Sequence, residues 1–292
     1  MLASLASFFR LVRALVTLAR HDAILPAEYQ SVYPASARML GRVTRLFARR
    51  GGADNPGERL ARALESLGPS YVKFGQILAT RGDVVGERFA RGLARLQDKM
   101  PPFGDTEARK VLAEEFGAPA GELFAELGPP VAAASIAQVH KARTADGRDV
   151  AVKILRPDVE RRIARDIRTL SLGASLAERF APASRRLEPR KFVDTVSRSL
   201  MVETDLRLEA AAASELSEAA AVAEGYRIPA VDWSRSSKRV LTTQWIDAIP
   251  LSDIERVAES DLDRPALATR LTRAFLATAL DRGVFHADMH AG

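Results

Sequence analysis

The chain has 292 residues, of which 47% are hydrophobic, and its formal net charge at pH 7 is +6. That length and apolar content can bury a sizeable core, in one large domain or two smaller ones. The sequence contains no cysteine, which excludes disulfides and thiolate metal sites but does not fix the compartment. Strand-like patterns cluster between residues 135 and 246 with helical patterns on both sides, so we expect an α+β fold with one antiparallel sheet.

The first 50 residues hold eight arginines against Asp22 and Glu28, a balance of +6 that equals the surplus of the whole chain. On a helical wheel one stripe is polar and the opposite side is largely apolar. The stripe consists of Arg10, Arg13, Thr17 and Arg20, and the apolar side of Leu5, Phe8, Leu11, Val12, Leu15 and Leu18. We therefore expect residues 1–50 to form a basic amphipathic arm that lies on an anionic membrane surface.

Other roles for this arm fit less well. The arginines interrupt the apolar run too early for a membrane span, and no positive segment precedes it as in a secretory signal. No nucleic-acid recognition motif accompanies the arm, so no nucleic-acid partner is expected. A mitochondrial transit peptide is the open alternative, because residues 1–21 contain no acidic residue and are rich in arginine and serine.

The segment GPSYVKFGQILATR predicts a helix. Gly68 and Pro69 suit its start, because proline is tolerated in the first turn. Gly75 costs about 1 kcal/mol relative to alanine in a helix, which suggests that another backbone or a ligand comes close there. With Lys73 and Gln76, this glycine spells the pattern KxGQ. Taken alone, the segment is an amphipathic helix with one packing glycine.

The segment VAAASIAQVHKARTADGRDVAVKIL predicts a β-hairpin. Runs from 135 to 143 and from 150 to 155 have strand character, and Asp146-Gly147 between them suits a turn because both residues tolerate positive φ. Strand side chains alternate, so Ala151 and Lys153 share the face opposite Val150, Val152 and Ile154. A small residue beside a lysine suits a purine nucleotide, since it leaves room for a flat ring while the ammonium reaches the phosphates. The alternative is an edge-strand lysine whose head stays in water.

Three acidic residues lie in SLMVETDLRLEAAAASEL, an alanine-rich stretch with strong helix propensity. In one continuous helix Asp205 and Glu209 would share a face and invite a cation, whereas Glu203 would lie on the other side. The alternative is that these carboxylates form a charged helix face that is exposed to solvent.

The last two patterns lie toward the end of the sequence. RVLTTQWIDAIPLSDI predicts a strand followed by a helix capped by Ser252 or Asp253. LTRAFLATALDRGVFHADMHAG predicts a helix ended by Gly283 and followed by His286, Asp288 and His290. Taken alone, these two imidazoles and one carboxylate could be ligands of zinc or iron.

These five patterns occur in one order, and through them the chain resembles the UbiB/AarF family of atypical protein-kinase-like proteins from about residue 60 to the last residue. The resemblance implies a kinase-like N-lobe with inserted helices at 129–250. A helical extension that carries the KxGQ pattern would precede it at 60–128. The start of a truncated C-lobe, ending in the catalytic loop, would follow at 251–292.

The resemblance also implies roles for individual residues. Lys153 would contact phosphates, Glu209 would orient it, and Asp288 with His286 would form the catalytic loop, which argues against a metal cluster there. The nucleotide would be held by Ala132, Ala133, Ala134 and Ser135, which replace a glycine-rich loop, and by Ala151, Lys153, Trp245 and Ile246. The peptide site of ordinary kinases would be closed by Lys73, Gly75, Gln76, Glu203 and Asp205.

The family resemblance implies ATP or ADP as ligand, Mg²⁺ in the full-length protein, and an atypical kinase or ATPase that supports ubiquinone biosynthesis. The expected location is the cytoplasmic face of the bacterial cytoplasmic membrane, with the mitochondrial inner membrane as the alternative. Expected partners are the anionic membrane, a quinone-precursor lipid or other small substrate, and possible ubiquinone-biosynthesis proteins. A lipid-binding accessory protein switched by nucleotide is one alternative function, and an aminoglycoside-type phosphotransferase, which would not explain the KxGQ helix, is another.

The family's magnesium ligands, an asparagine and the aspartate of Asp-Phe-Gly, would lie beyond Gly292, so no metal ligand is expected within the sequence. We therefore expect a fragment of a longer protein that is catalytically incomplete and of poor isolated stability. It should bind nucleotide weakly at most and without sensitivity to magnesium.

Overall fold

A computed structural model describes residues 2–24, 39, 41–42, 55–96, 100–180, 182–220 and 227–284 of the chain. The chain divides into two compact units that alternate along the sequence. The helical unit comprises Met1–Pro101, Ala133–Ile136 and Asp158–Thr204, and the sheet unit comprises Pro102–Ala132, Ala137–Pro157 and Asp205–Gly292. The four segments expected from the sequence stay a prediction.

The elements follow one another in chain order. Helices α1 to α7 span Leu2–Arg20, Pro56–Leu67, Pro69–Ala79, Gly82–Val85, Glu87–Leu93, Asp105–Phe116 and Ala120–Leu123. Strands β1 to β3 span Glu126–Ala133, Ala137–Arg143 and Asp149–Leu155. After them come α8 at Val159–Phe180, a 3₁₀ turn at Pro182–Leu187, α9 at Pro189–Glu203 and α10 at Leu206–Ala220. A 3₁₀ turn at Trp233–Arg235, β4 at Val240–Gln244, α11 at Ile254–Glu259 and α12 at Arg264–Asp281 follow.

Local signals in the sequence explain several helix ends. Helix α3 begins at Pro69 as predicted, directly after Gly68, whose φ of 113° favours glycine. The Asp253 side chain accepts a hydrogen bond from the backbone of Arg256 and caps α11, which confirms one of the two predicted caps. The core of the helical unit is formed where α1, α2, α3 and α5 meet, by Ala14, Ala61, Leu64, Tyr71, Val72, Leu93 and Leu96.

The sheet unit is built on four strands in the order β1-β2-β3-β4. Strands β2 and β3 pair antiparallel, as do β3 and β4, so the predicted antiparallel sheet is confirmed. The hairpin between β2 and β3 turns at Gly147, whose φ is 83°. Strand β2 begins at Ala137, two residues later than expected. One face of β3 enters the apolar core with Val150, Val152 and Ile154, so the predicted alternation is correct.

A chain of hydrogen bonds crosses the interior of the sheet unit beside β2. The Phe103 backbone N–H donates to Gln138 Oε1 at 2.9 Å. The Gln138 amide nitrogen lies 2.9 Å from His140 Nε2, and His140 Nδ1 lies 2.8 Å from the Gly128 carbonyl oxygen. Because an amide nitrogen only donates and a carbonyl oxygen only accepts, His140 carries its proton on Nδ1. The buried side chains of Gln138 and His140 are therefore both hydrogen-bonded.

The stretch expected to form one helix from 199 to 216 is broken at Thr204 and Asp205, so that prediction is wrong. The Thr204 hydroxyl bonds back to the Met201 carbonyl at 2.8 Å, a local interaction that competes with the helix. The Asp205 carboxylate accepts the backbone N–H of Arg207 at 3.2 Å and so begins α10. Two helices of 15 residues each, α9 and α10, replace the continuous one.

Helix α1 forms as predicted, and Leu5, Phe8, Val12 and Leu15 of its predicted apolar side are exposed. It packs against α2 and α8, and this contact half-buries Arg10 and Thr17 of the predicted polar stripe. Leu11 of the predicted apolar side also points inward, because a Cβ on Gly173 of α8 would lie 3.2 Å from its side chain. Within the described residues, no helix is long and apolar enough to cross a membrane.

Candidate nucleotide-binding site

The outer face of β3 and the side of α10 border a cavity of about 900 Å³ within the sheet unit. Its strand wall consists of Val139 on β2, Ala151 and Lys153 on β3, and Leu241 and Thr243 on β4. The remaining lining residues are Glu209, Ala212, Ala213, Glu215, Leu216, Ile228, Pro229, Gly283 and Val284. The volume falls in the range of small-molecule sites.

Lys153 and Glu209 form an ion pair inside this cavity. The Lys153 Nζ lies 2.8 Å from each carboxylate oxygen of Glu209, so the ammonium is held symmetrically. The side chains are 31% and 49% exposed, which leaves the lysine able to reach a ligand. The resemblance implied this contact across 56 residues of sequence, and the structure brings the two groups together. Their roles toward a nucleotide stay a prediction.

Ala151 has the smallest side chain in the strand wall of the cavity. Strand register places it directly opposite Thr243, while Lys153 lies opposite Leu241. The side chains beside the lysine are therefore small or apolar, and Thr243 contributes one hydroxyl group. Sequence reasoning identified Ala151 and Lys153 but missed Leu241 and Thr243. The same period of two along β4 would have placed this second pair on one face.

Trp245 and Ile246 follow β4, where the resemblance implies backbone contacts to adenine. The Trp245 backbone N–H donates to the Asp149 carbonyl at 3.1 Å and so extends the strand pairing. The Lys141 ammonium lies 5.0 Å from the centre of the Trp245 ring. The backbone N–H of Trp245 is thus already hydrogen-bonded within the sheet. Neither Trp245 nor Ile246 is among the residues that line the cavity.

The alanine run is only in part a loop. Ala132 and Ala133 are the last residues of β1, whereas Ala134 and Ser135 follow it. The Ser135 side chain is buried, with 3% of its surface exposed. The expectation of a four-residue loop is corrected, because strand pairing continues two residues further into the run. Nucleotide binding by these residues stays a prediction.

The KxGQ residues lie on α3 within the helical unit. Lys73 Nζ lies 2.6 Å from Glu203 Oε1 at the end of α9, so the structure joins these two predicted gating residues. Gln76 donates from Nε2 to the Leu96 carbonyl at 3.3 Å. A Cβ on Gly75 would lie 2.4 Å from the Leu96 side chain and 2.6 Å from that of Leu64. The neighbour expected at this glycine is therefore a pair of leucines, not a backbone or a ligand.

The spacing of Asp205 and Glu209 suggested a shared cation, but Asp205 binds a neighbour in sequence. Both its carboxylate oxygens accept from the Arg207 guanidinium, at 2.8 and 2.6 Å. This contact, together with the Arg207 backbone N–H, lowers the pKa of Asp205. Glu209 pairs instead with Lys153, so Asp205 and Glu209 bind different cations. Gating by Asp205 stays a prediction.

His286 and Asp288, the predicted catalytic-loop residues, and His290 lie outside the described residues. In the part of the chain that the structure describes, no group of three or more histidines and acids could hold a metal ion. Among the described residues, the ammonium of Lys153 and the carboxylates of Glu209 and Glu215 line the cavity.

The antiparallel sheet, with a strand lysine paired to a helix glutamate beside a cavity, defines a kinase-like fold. Residues 95–292 match the family model of the ABC1 atypical kinase-like domain, and the chain belongs to this family. A "Probable protein kinase UbiB" of Marinobacter nauticus is 40% identical over 237 residues, which cover 81% of this chain and 43% of that protein. Its counterpart in Xanthomonas euvesicatoria is 41% identical over 246 residues, covering 82% and 44%.

The chain therefore spans less than half of the length of these curated bacterial relatives. A solved complex of Rv3197 with erythromycin, from Mycobacterium tuberculosis, is 26% identical to it with a TM-score of 0.46. That match covers 76% of this chain and 52% of the solved one.

Proposed function

We propose that the cavity beside β3 binds ATP or ADP and that the protein is an atypical kinase or ATPase of the UbiB type. The observation that supports this most directly is the Lys153–Glu209 ion pair, held in a cavity next to Ala151. The names of the relatives connect the proposal to ubiquinone biosynthesis. A quinone-precursor lipid or another small molecule is the proposed substrate.

Each residue has a definite task in this proposal. The Lys153 ammonium binds phosphate oxygens and Glu209 keeps it directed into the cavity, because two opposite charges at hydrogen-bond distance attract strongly enough to hold one geometry. Asp288 orients or deprotonates the acceptor, with His286 beside it. Lys73, Gln76 and Glu203 restrict access to the site. Mg²⁺ in the whole protein neutralises phosphate charge.

Calorimetric titration of the chain with ADP and with ATP, each with and without Mg²⁺, tests the proposal. Lys153→Ala should weaken binding by about tenfold or more, since a charge-assisted contact to phosphate is lost. Lys110→Ala is the matched control, because it removes a lysine from the exposed surface of α6 in the same unit. Nucleotide affinity that is equal in the Lys153→Ala variant and the unaltered chain would reject the site.

A non-catalytic protein that uses nucleotide only as a switch for lipid binding remains the alternative. The two functions differ in turnover by the whole protein on anionic liposomes. The enzyme requires nucleotide turnover that disappears in Asp288→Asn, whereas the switch requires only lipid binding that depends on nucleotide.

We also propose that α1 docks on the cytoplasmic face of the bacterial membrane. Its outward side is apolar, since Leu5, Phe8, Phe9, Val12, Leu15 and Val16 are all at least 40% exposed. Exposed Arg13 and Arg20 flank this side and would face anionic lipid headgroups. An interfacial helix has this combination of an apolar face and flanking cations.

A further inference from the structure

The helical unit contains a second cavity, of about 890 Å³, which we name the helical cavity. It lies among α3, α4, the 3₁₀ turn at Pro182–Leu187 and the start of α9. Its apolar lining is formed by Phe74, Ile77, Leu78, Val85, Leu187, Pro189 and Phe192. Its polar lining is formed by Thr80, Arg81, Asp83, Arg186, Glu188, Lys191 and Thr195. None of these residues belongs to the candidate nucleotide site.

Two aromatic rings form one wall of the helical cavity. Phe74 on α3 and Phe192 on α9 meet edge to face, with ring centres 5.2 Å apart and planes at 83°. This arrangement is a favourable one for two aromatic rings, and both rings also contact the cavity. A third aromatic ring can therefore pack against them. An apolar aromatic ligand fits this wall better than a sugar or a peptide backbone.

Four of the five charged side chains named above for the cavity pair with each other. Arg81 donates to both oxygens of Asp83 at 2.8 Å, and Lys191 pairs with Glu188. The Arg186 side chain makes no hydrogen bond or ion pair with any residue in the described ranges. Its guanidinium thus keeps its planar pair of donors, which match a carboxylate in geometry and charge.

The backbone at the cavity edge is strained. Glu188, between the 3₁₀ turn and α9, has φ 46° and ψ 54°, the left-handed region that non-glycine residues seldom adopt. This conformation joins the turn that carries Arg186 to the helix that carries Phe192. Strain of this kind persists where the surrounding structure requires it, and ligand sites are common places for it.

We propose that the helical cavity binds a small aromatic carboxylate, whose ring packs on Phe74 and Phe192 and whose carboxylate pairs with Arg186. The two helices that would hold this ligand are the ones joined by Lys73 and Glu203. The proposal extends beyond nucleotide binding and does not depend on it.

The test compares two probes with the same ring system, 2-naphthoate and its neutral amide 2-naphthamide, by calorimetric titration of the whole chain without nucleotide. 2-Naphthoate should bind about tenfold more tightly than 2-naphthamide, since only the former makes a charge-assisted pair with arginine. Arg186→Gln should abolish this difference. Phe192→Leu should weaken the binding of both probes, because it removes the ring that both would contact.

Arg190→Gln is the matched control. It removes the same charge four residues away, from an exposed side chain that does not line the cavity. The affinity of Arg190→Gln for 2-naphthoate should equal that of the unaltered chain. Absence of saturable 2-naphthoate binding, equal binding of both probes, or an equal loss in Arg186→Gln and Arg190→Gln would each overturn the proposal.

Discussion

Lys153 is positioned by one charged neighbour and by strand geometry, and not by deep burial. Its ammonium contacts both oxygens of Glu209 at 2.8 Å, while the two side chains are 31% and 49% exposed. Ion pairs with this exposure contribute at most about 1 kcal/mol to stability. The pair therefore matters mainly for the direction of the lysine, and loss of Glu209 should affect ligand binding more than folding.

Tyr71, which is buried, and Asp166, which is half-buried, are two acidic groups of the helical unit that influence each other electrostatically. Burial is the main cause that raises the pKa of Tyr71 to about 12, and the nearby Asp166 carboxylate adds to it. Burial also raises the pKa of Asp166, although the Ser70 hydroxyl donates to it at 2.7 Å. Both shifts disfavour the ionised forms, and the shift of Tyr71 is the one that acts at alkaline pH, because its ordinary pKa is already near 10.

The raised pKa of Tyr71 predicts a loss of stability at alkaline pH. Its contribution is fully present below the unfolded value near 10 and is lost as pH rises towards 12, where two units correspond to about 3 kcal/mol. Urea unfolding between about pH 9 and pH 11 should show a smaller decline in Tyr71→Phe than in the unaltered chain. Equal declines in both proteins would contradict the assignment.

Helices α2 and α5 cross at two glycines that touch backbone to backbone. A Cβ on Gly92 would lie 2.5 Å from the Cα and carbonyl carbon of Gly57, and a Cβ on Gly57 would lie 2.9 Å from the Cα of Gly92. No side-chain rearrangement can relieve these contacts, because the atoms concerned are backbone. The helices must separate to admit a methyl group.

Gly92→Ala should therefore destabilise the protein by about 1–3 kcal/mol, the usual cost of overpacking. The measurement is the free energy of unfolding in urea. Gly121→Ala is the control, because this helical glycine has open space where a Cβ would lie. That control should be neutral or slightly stabilising, since alanine favours helix. A Gly92→Ala variant as stable as the control would show that the crossing is looser than described.

The periodicity of apolar residues predicted an element well where only one of its faces packs on the core. The alternation in β3 correctly assigned Val152 to the core and Lys153 to the cavity, since a strand has only two faces. Helix propensity failed at Thr204, because hydrogen bonds to residues near and far in sequence decide where a helix breaks. For α1, the helical wheel could not show that neighbouring helices half-bury Arg10 and Thr17, because a wheel does not reveal which side other helices cover.

Residues of the candidate site could be predicted from the sequence only where they belong to a recognisable motif. The contact between Lys153 and Glu209 spans 56 residues, which no local pattern can show, and it came from the family resemblance. Leu241 and Thr243 carry no chemical signature by themselves, so only strand register reveals them as part of the cavity. The helical cavity was missed because its residues come from segments far apart in the chain.

The whole chain carries its surplus positive charge in the same region as its exposed apolar helix face. The formal charge of +6 equals the balance of the first 50 residues, and α1 lies among them. An apolar face binds membranes through burial, whereas cations add attraction to anionic headgroups that salt weakens. Binding through α1 should therefore depend on both lipid charge and ionic strength.

Flotation of the chain with vesicles measures its affinity for neutral and anionic membranes, made of phosphatidylcholine alone or mixed with phosphatidylglycerol. Phe9, which is 63% exposed on α1, should enter the lipid interface, so Phe9→Ser should lower affinity for the anionic vesicles by about tenfold. Leu280→Ser is the matched control, since Leu280 is 79% exposed on α12. Arg13→Gln should weaken binding about fivefold and reduce its salt dependence.

These variants separate docking through α1 from non-specific adhesion of apolar residues. Adhesion depends on exposed apolar area alone, so it would weaken equally in Phe9→Ser and Leu280→Ser and would not distinguish the two vesicle compositions. Docking through α1 requires a loss in Phe9→Ser with none in Leu280→Ser, and tighter binding to the anionic vesicles. If Phe9→Ser floats as the unaltered chain does, α1 is not the membrane-binding element, and its apolar side must be covered by another partner.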